Sequence, residues 1–139
     1  MTRHERLASL LEGVPYIRFL GMEATLEDER LTCILPFRQA LVGNVMLPAL
    51  HGGVIGAFLE MTALTELALR APPTARRPRT IDVTVDYLRP GRAHTTLARA
   101  RVQKAGRRIA SVHVEAWQED PERPVAALRG HFMLAHDED

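Results

Sequence analysis

Gly52–Arg70 reads GGVIGAFLEMTALTELALR, nineteen residues without a proline, stopped by Pro72-Pro73. This predicts a helix of about 28 Å at 1.5 Å per residue. Thr62, Glu66 and Arg70 repeat at i, i+4 and i+8 and mark the expected solvent stripe, with Glu66 before Arg70 in the favourable order. Almost everything else on this helix is apolar or small, so most of its sides must be covered. The cover has to come from the flanking sequence.

Downstream, four stretches read as strands: Thr80–Leu88, His94–Lys104, Arg107–Trp117 and Val125–Leu134. Ile81, Val83, Val85 and Tyr87 alternate with Asp82, Thr84 and Asp86, and Ala110, Val112, Val114 and Ala116 repeat the pattern. Pro90-Gly91, Ala105-Gly106 and Asp120-Pro121 punctuate them as turns, which suggests a four-stranded antiparallel meander. Upstream, Arg3–Glu12 places Leu7, Leu10 and Leu11 at helical spacing and stops at Gly13. Val14-Pro15-Tyr16 reads as a turn, Leu20–Leu26 and Arg30–Leu35 as a hairpin, and Pro36–Leu50 as an irregular loop long enough to carry function. One curved antiparallel sheet folded around one apolar helix gives an α+β architecture in a single domain, residues 1–139.

At 139 residues, 46% hydrophobic and 25% charged, the composition is that of an ordinary globular domain. A net charge of +1 gives no electrostatic reason to expect nucleic acid or a membrane surface as partner. The one cysteine, Cys33, excludes an internal disulfide and a cysteine-based zinc site, and is expected to pack as a small hydrophobe. With no leader-like or spanning apolar run, the expected location is the cytoplasm.

Glu60 does not fit a bland helix. Its neighbours at i±3 and i±4 are Gly56, Ala57, Ala63 and Leu64, and it lies about 120° around the helix from Glu66. A carboxylate off the polar stripe is either paired at a boundary or held for chemistry. His51-Gly52-Gly53 opens the same helix; bare backbone N–H groups at a helix start can meet a developing oxyanion, or simply cap a loop-to-helix transition. Gly52 and Glu60 are eight residues apart, about 12 Å along one helix. One substrate can touch both only if two antiparallel helices from two subunits lie side by side, so the pattern predicts a dimer with composite sites. His4, His94, His113 and His136 show no metal-ligand spacing, and Arg76, Arg77 and Arg79 read as a solvated connector.

LVGNVMLPALHGGVIGAFLEMTAL, then TIDVTVDYLRPG, then QKAGRRIA, resembles hotdog-fold acyl-CoA thioesterases of the phenylacetate-degradation (PaaI-type) group, over Val14 to Leu134. The resemblance implies that Glu60 is the catalytic carboxylate, as general base or as nucleophile. It makes Gly52 the residue whose N–H polarises the thioester carbonyl, and His51 the histidine that shapes that end of the site. Asn44 matches a loop asparagine that assists the attacking water or the carboxylate, and Thr80 a strand residue that can orient the water. The parity of Thr80 with Asp82 and Thr84 is equally compatible with plain exposure. Gly53, the segment Tyr87, Leu88, Arg89, Pro90 and Gly91, and the turn Lys104, Gly106, Arg107 and Arg108 match segments that contact coenzyme A. No metal or other cofactor is implied, only CoA as part of the substrate, with a homodimer or dimer of dimers as the assembly. Val45-Met46-Leu47-Pro48 with Phe58 and Met61 suggests an apolar acyl pocket for an aryl or medium-chain group. The rivals are a non-catalytic acyl-CoA sensor and a hydratase; the sensor does not need Glu60, and the hydratase lacks its Asp/His pair here.

Overall fold

A computed structural model describes residues 1–44, 49–72 and 74–134. The long helix, α3, spans Gly52–Arg70 as its sequence demands. Two short helices precede it, α1 (Arg3–Gly13) and α2 (Pro15–Leu20). The strands are β1 (Glu23–Glu27), β2 (Arg30–Leu35), β3 (Val42–Asn44), β4 (Ala49–Leu50), β5 (Arg79–Tyr87), β6 (Thr96–Ala105), β7 (Ile109–Trp117) and β8 (Ala126–Met133).

Local chemistry explains the ends. Thr2 and Glu5 form a reciprocal capping box on α1, and the Arg6 guanidinium donates to Ala71 O at 2.8 Å, tying α1 to the end of α3. The expected turn at Val14-Pro15-Tyr16 is instead the start of α2. Proline at the first helical position lacks an N–H that would have no helical partner, and Gly21 at φ 74° ends the helix. Asp28 and Glu29, both at positive φ, close the β1–β2 hairpin.

The main sheet is antiparallel in the order β1-β2-β6-β7-β8-β5. The expected meander holds for β6, β7 and β8 only. β5 pairs with β8, not β6, and forms the far edge. Alternation tells which face a residue takes, not which strand lies beside it. The connector from Leu88 to Thr95 crosses about three strand spacings, roughly 14 Å, within reach of eight extended residues. It passes the start of α3, where Leu50 N donates to Gly91 O at 2.8 Å.

By length and composition α3 could cross a bilayer, but here the sheet wraps it: Phe58, Leu59, Thr62 and Ala63 are fully buried. Burying a side chain of the Phe or Leu kind is worth about 1.5–3 kcal/mol before entropy is counted, so this face anchors the fold. The polar stripe is not the solvent side. Thr62 bonds Phe58 O at 2.8 Å, and Glu66, only 7% exposed, pairs with Arg70 Nε at 3.1 Å. Both face Cys33 on β2, whose thiol burial pushes up to about 12. A threonine that satisfies itself on its own helix, and a glutamate neutralised one turn on, can be covered by a sheet. What stays open is the face carrying Gly53, Ala57, Glu60 and Leu64.

Candidate active site

The start of α3 is held from three sides. His51 caps it, Nδ1 accepting from Gly53 N at 3.1 Å, while His51 N donates to Leu41 O at 2.8 Å. Gly43 lets β3 pass close: a Cβ there would stand 3.0 Å from His51 Cα. Tyr87 lays its ring over Gly52 and Gly56 and donates its hydroxyl to Gly52 O at 2.7 Å. With Gly53 N taken by the cap, Gly52 is the first helical residue, and its N–H has no partner within the helix.

Glu60 sits two turns on, half-buried on the open face. Thr80 Oγ1 donates to Glu60 Oε2 at 2.7 Å. Plain alternation would not put Thr80 there, since Val85 and Tyr87 already face α3 from β5. A bulge settles it. Thr80 pairs with Phe132 and Asp82 with His131, leaving Ile81 as the extra residue. One inserted residue reverses the parity, so Thr80 joins the helix-facing side while Asp82 turns outward and meets His131 Nδ1 at 2.8 Å. The hydroxyl fixes one carboxylate oxygen and leaves Oε1 to accept a proton or attack.

The Tyr87–Gly91 segment lies at the same end as His51–Gly53. Leu88 N and Arg89 N both donate to Val125 O, Arg89 Nη1 donates to Pro124 O at 2.7 Å, and a Cβ on Gly91 would collide with Ile55 Cδ1 at 2.7 Å. Arg89, Pro90 and Arg92 line a cavity of about 420 Å³ with His94, Gln118 and Arg123. Gln118 was not legible as part of it; its amide fastens the connector by bonding both Arg92 N and Arg92 O.

Lys104, Gly106, Arg107 and Arg108 are not brought to that place. They form the β6–β7 turn, with Gly106 N on Ile109 O at 2.9 Å and Arg108 O accepting from Leu134 N at 2.7 Å. Eight residues of β6 separate Leu97, which the ladders through β7 and β8 bring level with the Tyr87 end of β5, from Ala105 at this turn, roughly 27 Å at the strand rise. Within one chain the two segments expected to hold CoA are thus at opposite ends of the sheet.

Asn44 pairs with Ala49 through the β3–β4 ladder; its side chain, Val45–Pro48 and His136 lie outside the described residues. Phe58 is fully buried in the core. Met61 and Leu64 line an apolar cavity of about 70 Å³ next to the Glu60 face, beside Leu10, Val14 and Ile17. Among the described residues no three His, Cys, Asp or Glu side chains gather as metal ligands.

A carboxylate fixed by a strand hydroxyl, on a helix whose capped start presents a backbone donor, is a site suited to acyl transfer to water. Residues 47–125 match the sequence model of the thioesterase superfamily, and the chain belongs to that family. The chain is 34% identical over 136 residues to the medium/long-chain acyl-CoA thioesterase YigI of Escherichia coli K12, covering 87% of this chain and 86% of that protein. A crystal structure of a Chromobacterium violaceum protein superposes with TM-score 0.76 at 36% identity, covering 95% of this chain and 91% of that one. The E. coli PaaI protein of the phenylacetic acid degradation operon shares the fold, with TM-score 0.79 at 18% identity over 95% of this chain and 92% of its own. The helix wrapped by its sheet is the hotdog fold.

Proposed function

We propose that this chain hydrolyses acyl-CoA thioesters to the free acid and CoA, acting on medium- to long-chain aliphatic acyl groups, with aryl groups the alternative. The observation that carries this is the 2.7 Å bond from Thr80 to Glu60 on the open face of α3, eight residues beyond Gly52. In this reading the thioester carbonyl rests on Gly52 N–H, held in place by His51 and Tyr87. Glu60, oriented by Thr80, either takes a proton from water as it adds to the carbonyl, or adds itself and is released by water from the resulting anhydride. Either way the C–S bond breaks and CoA leaves as the thiol. A preorganised donor at the oxyanion is worth about 3 kcal/mol. The chemistry needs no metal or redox cofactor. Asn44 is retained as an assisting group, and Gly53, Tyr87–Gly91, Lys104, Gly106, Arg107 and Arg108 as the CoA surface.

The assembly in this reading is at least a dimer, in which Gly52 of one subunit works with Glu60 of its partner. Three features support it: the 12 Å offset along α3, the separation of the two CoA segments, and the edge strand β5. That edge is nine residues long, with Ile81, Val83 and Tyr87 exposed, the kind of edge that proteins cover or pair. Antiparallel pairing of two β5 edges would bring one subunit's Lys104–Arg108 end toward the other's Gly52 end.

The test is release of free thiol from a panel of straight-chain and aryl acyl-CoAs, read with a thiol-reactive dye. Cys33 is buried and adds no background while the chain stays folded. Turnover that rises from short to medium and long chains is expected. Tight CoA binding with no thiol released by any member of the panel would refute hydrolysis and favour a sensor.

A further inference from the structure

β2 and β6 run together over only three pairs, Cys33–Leu35 against Ala98–Thr96. Beyond them β2 turns away with β1 while β6 continues beside β7, and the sheet splits. The split is a cavity of about 420 Å³, and four guanidinium groups line it: Arg30, Arg70, Arg99 and Arg101. His113 and Trp117 complete it, and Glu115 is its only lining carboxylate among the described residues.

Two of these arginines are preorganised. Arg99 Nε donates to Thr32 Oγ1 at 2.8 Å across the split, and its guanidinium lies 5.6 Å from the Trp117 ring centre. Arg70 reaches up from the end of α3, held by Glu66 at 3.1 Å. The side chains of Arg30 and Arg101 make no hydrogen bond or ion pair to a described residue. The chain as a whole carries only +1, so this is local concentration of charge and not a generally basic protein. Glu66 already matches Arg70, so the guanidinium groups of Arg30, Arg99 and Arg101 face the single Glu115 carboxylate, and a bound anion would offset that excess of positive charge.

We propose that this split is a binding site for a small phosphorylated anion, a phosphate monoester or diphosphate carrying two or more negative charges. Planar guanidinium forks match phosphate oxygens in pairs, and the volume suits a metabolite rather than a polymer. The site is separate from the thioester site. Arg99 and Arg101 pair across the ladder with Glu115 and His113, and Ala100, Val102 and Arg70, the last residue of α3, close the cavity on its inner side; none of His51–Gly53, Glu60, Thr80 or Tyr87 lines it.

The probes are inorganic pyrophosphate and ADP, titrated calorimetrically into the intact protein at low ionic strength, with sulfate as the charge control. Saturable binding at one site per chain is expected, weakened at least tenfold in Arg101→Ala and again in Arg30→Ala, and weaker for sulfate. The KM for acyl-CoA should be unchanged in Arg101→Ala. Equal affinity for both probes would identify the diphosphate as the group recognised; tighter ADP binding would add the nucleoside. No binding by either probe, or binding that survives both substitutions, overturns the site. A raised KM in Arg101→Ala would assign the arginines to the substrate's own phosphates and overturn its independence. Binding is read without turnover, so failure here leaves the hydrolase reading standing.

Discussion

Glu60 was legible in the sequence as an unusual position, but not for the reason the structure gives. It stood out as a carboxylate off the Thr62–Glu66–Arg70 stripe, and that stripe is in fact the covered side of α3. The spacing of polar residues marks a face; which face the sheet takes depends on whether its polar groups can be satisfied under cover, as Thr62 and Glu66 are. Glu60 is distinctive because a hydroxyl from another element meets it on the open side. Glu60→Gln keeps the size and can still accept from Thr80, but removes the proposed base or nucleophile. A kcat loss of at least about 100-fold is expected, within the 10²–10⁴ range of general-base catalysis, with little change in urea midpoint. Glu66→Gln, on a buried pair with Arg70, is not a neutral control. Asp86→Asn is: Asp86 lies on the outer face in an exposed pair with Arg129 at 3.5 Å, worth at most about 1 kcal/mol. Turnover near wild type in Glu60→Gln would rule out its catalytic role.

At the scale of elements, α3 and the strand segments were readable because periodicity reports them directly. The position of β5 at the edge and the bulge at Ile81 were not, since neither leaves a mark in alternation. The bulge is what delivers Thr80 to Glu60. Thr80→Ser keeps the donor and should keep most of the activity, whereas Thr80→Val should lower kcat about tenfold with KM little changed. Equal activity in the two would mean the hydroxyl only fills space. The strand itself depends on Gly130 of β8, where a Cβ would meet Asp82 O at 2.9 Å and a Val83 methyl at the same distance. A backbone carbonyl cannot swing aside as a side-chain tip can, so Gly130→Ala must push β5 outward. A stability loss of about 1–3 kcal/mol is expected, as for overpacking elsewhere. Denaturant unfolding checks it, and an unchanged midpoint would show that the edge strand is free to shift.

For the whole molecule, the question is whether Gly52 and Glu60 act in one chain or across two. The 12 Å offset follows from the helix alone and was available from the sequence; the separation of the two segments proposed to hold CoA came only with the strand order. Gly52→Pro isolates the donor. Proline is favoured at the first helical position, and the residue before it, His51, already has the extended backbone that precedes proline, with φ −63° and ψ 129°. The substitution therefore removes one N–H and should leave the fold intact, with kcat down about 10²–10³-fold. Mixed with Glu60→Gln, it decides the question. If sites are composite, a heterodimer carries both lesions in one site and neither in the other, so random exchange of equal amounts should restore about a quarter of wild-type turnover. If each chain acts alone, every subunit keeps one lesion and mixing restores nothing. The measurement is thiol release after the two variants are co-refolded, with sedimentation to show that they associate. Full association without recovered turnover would end the composite site while leaving Glu60 and Gly52 in their roles.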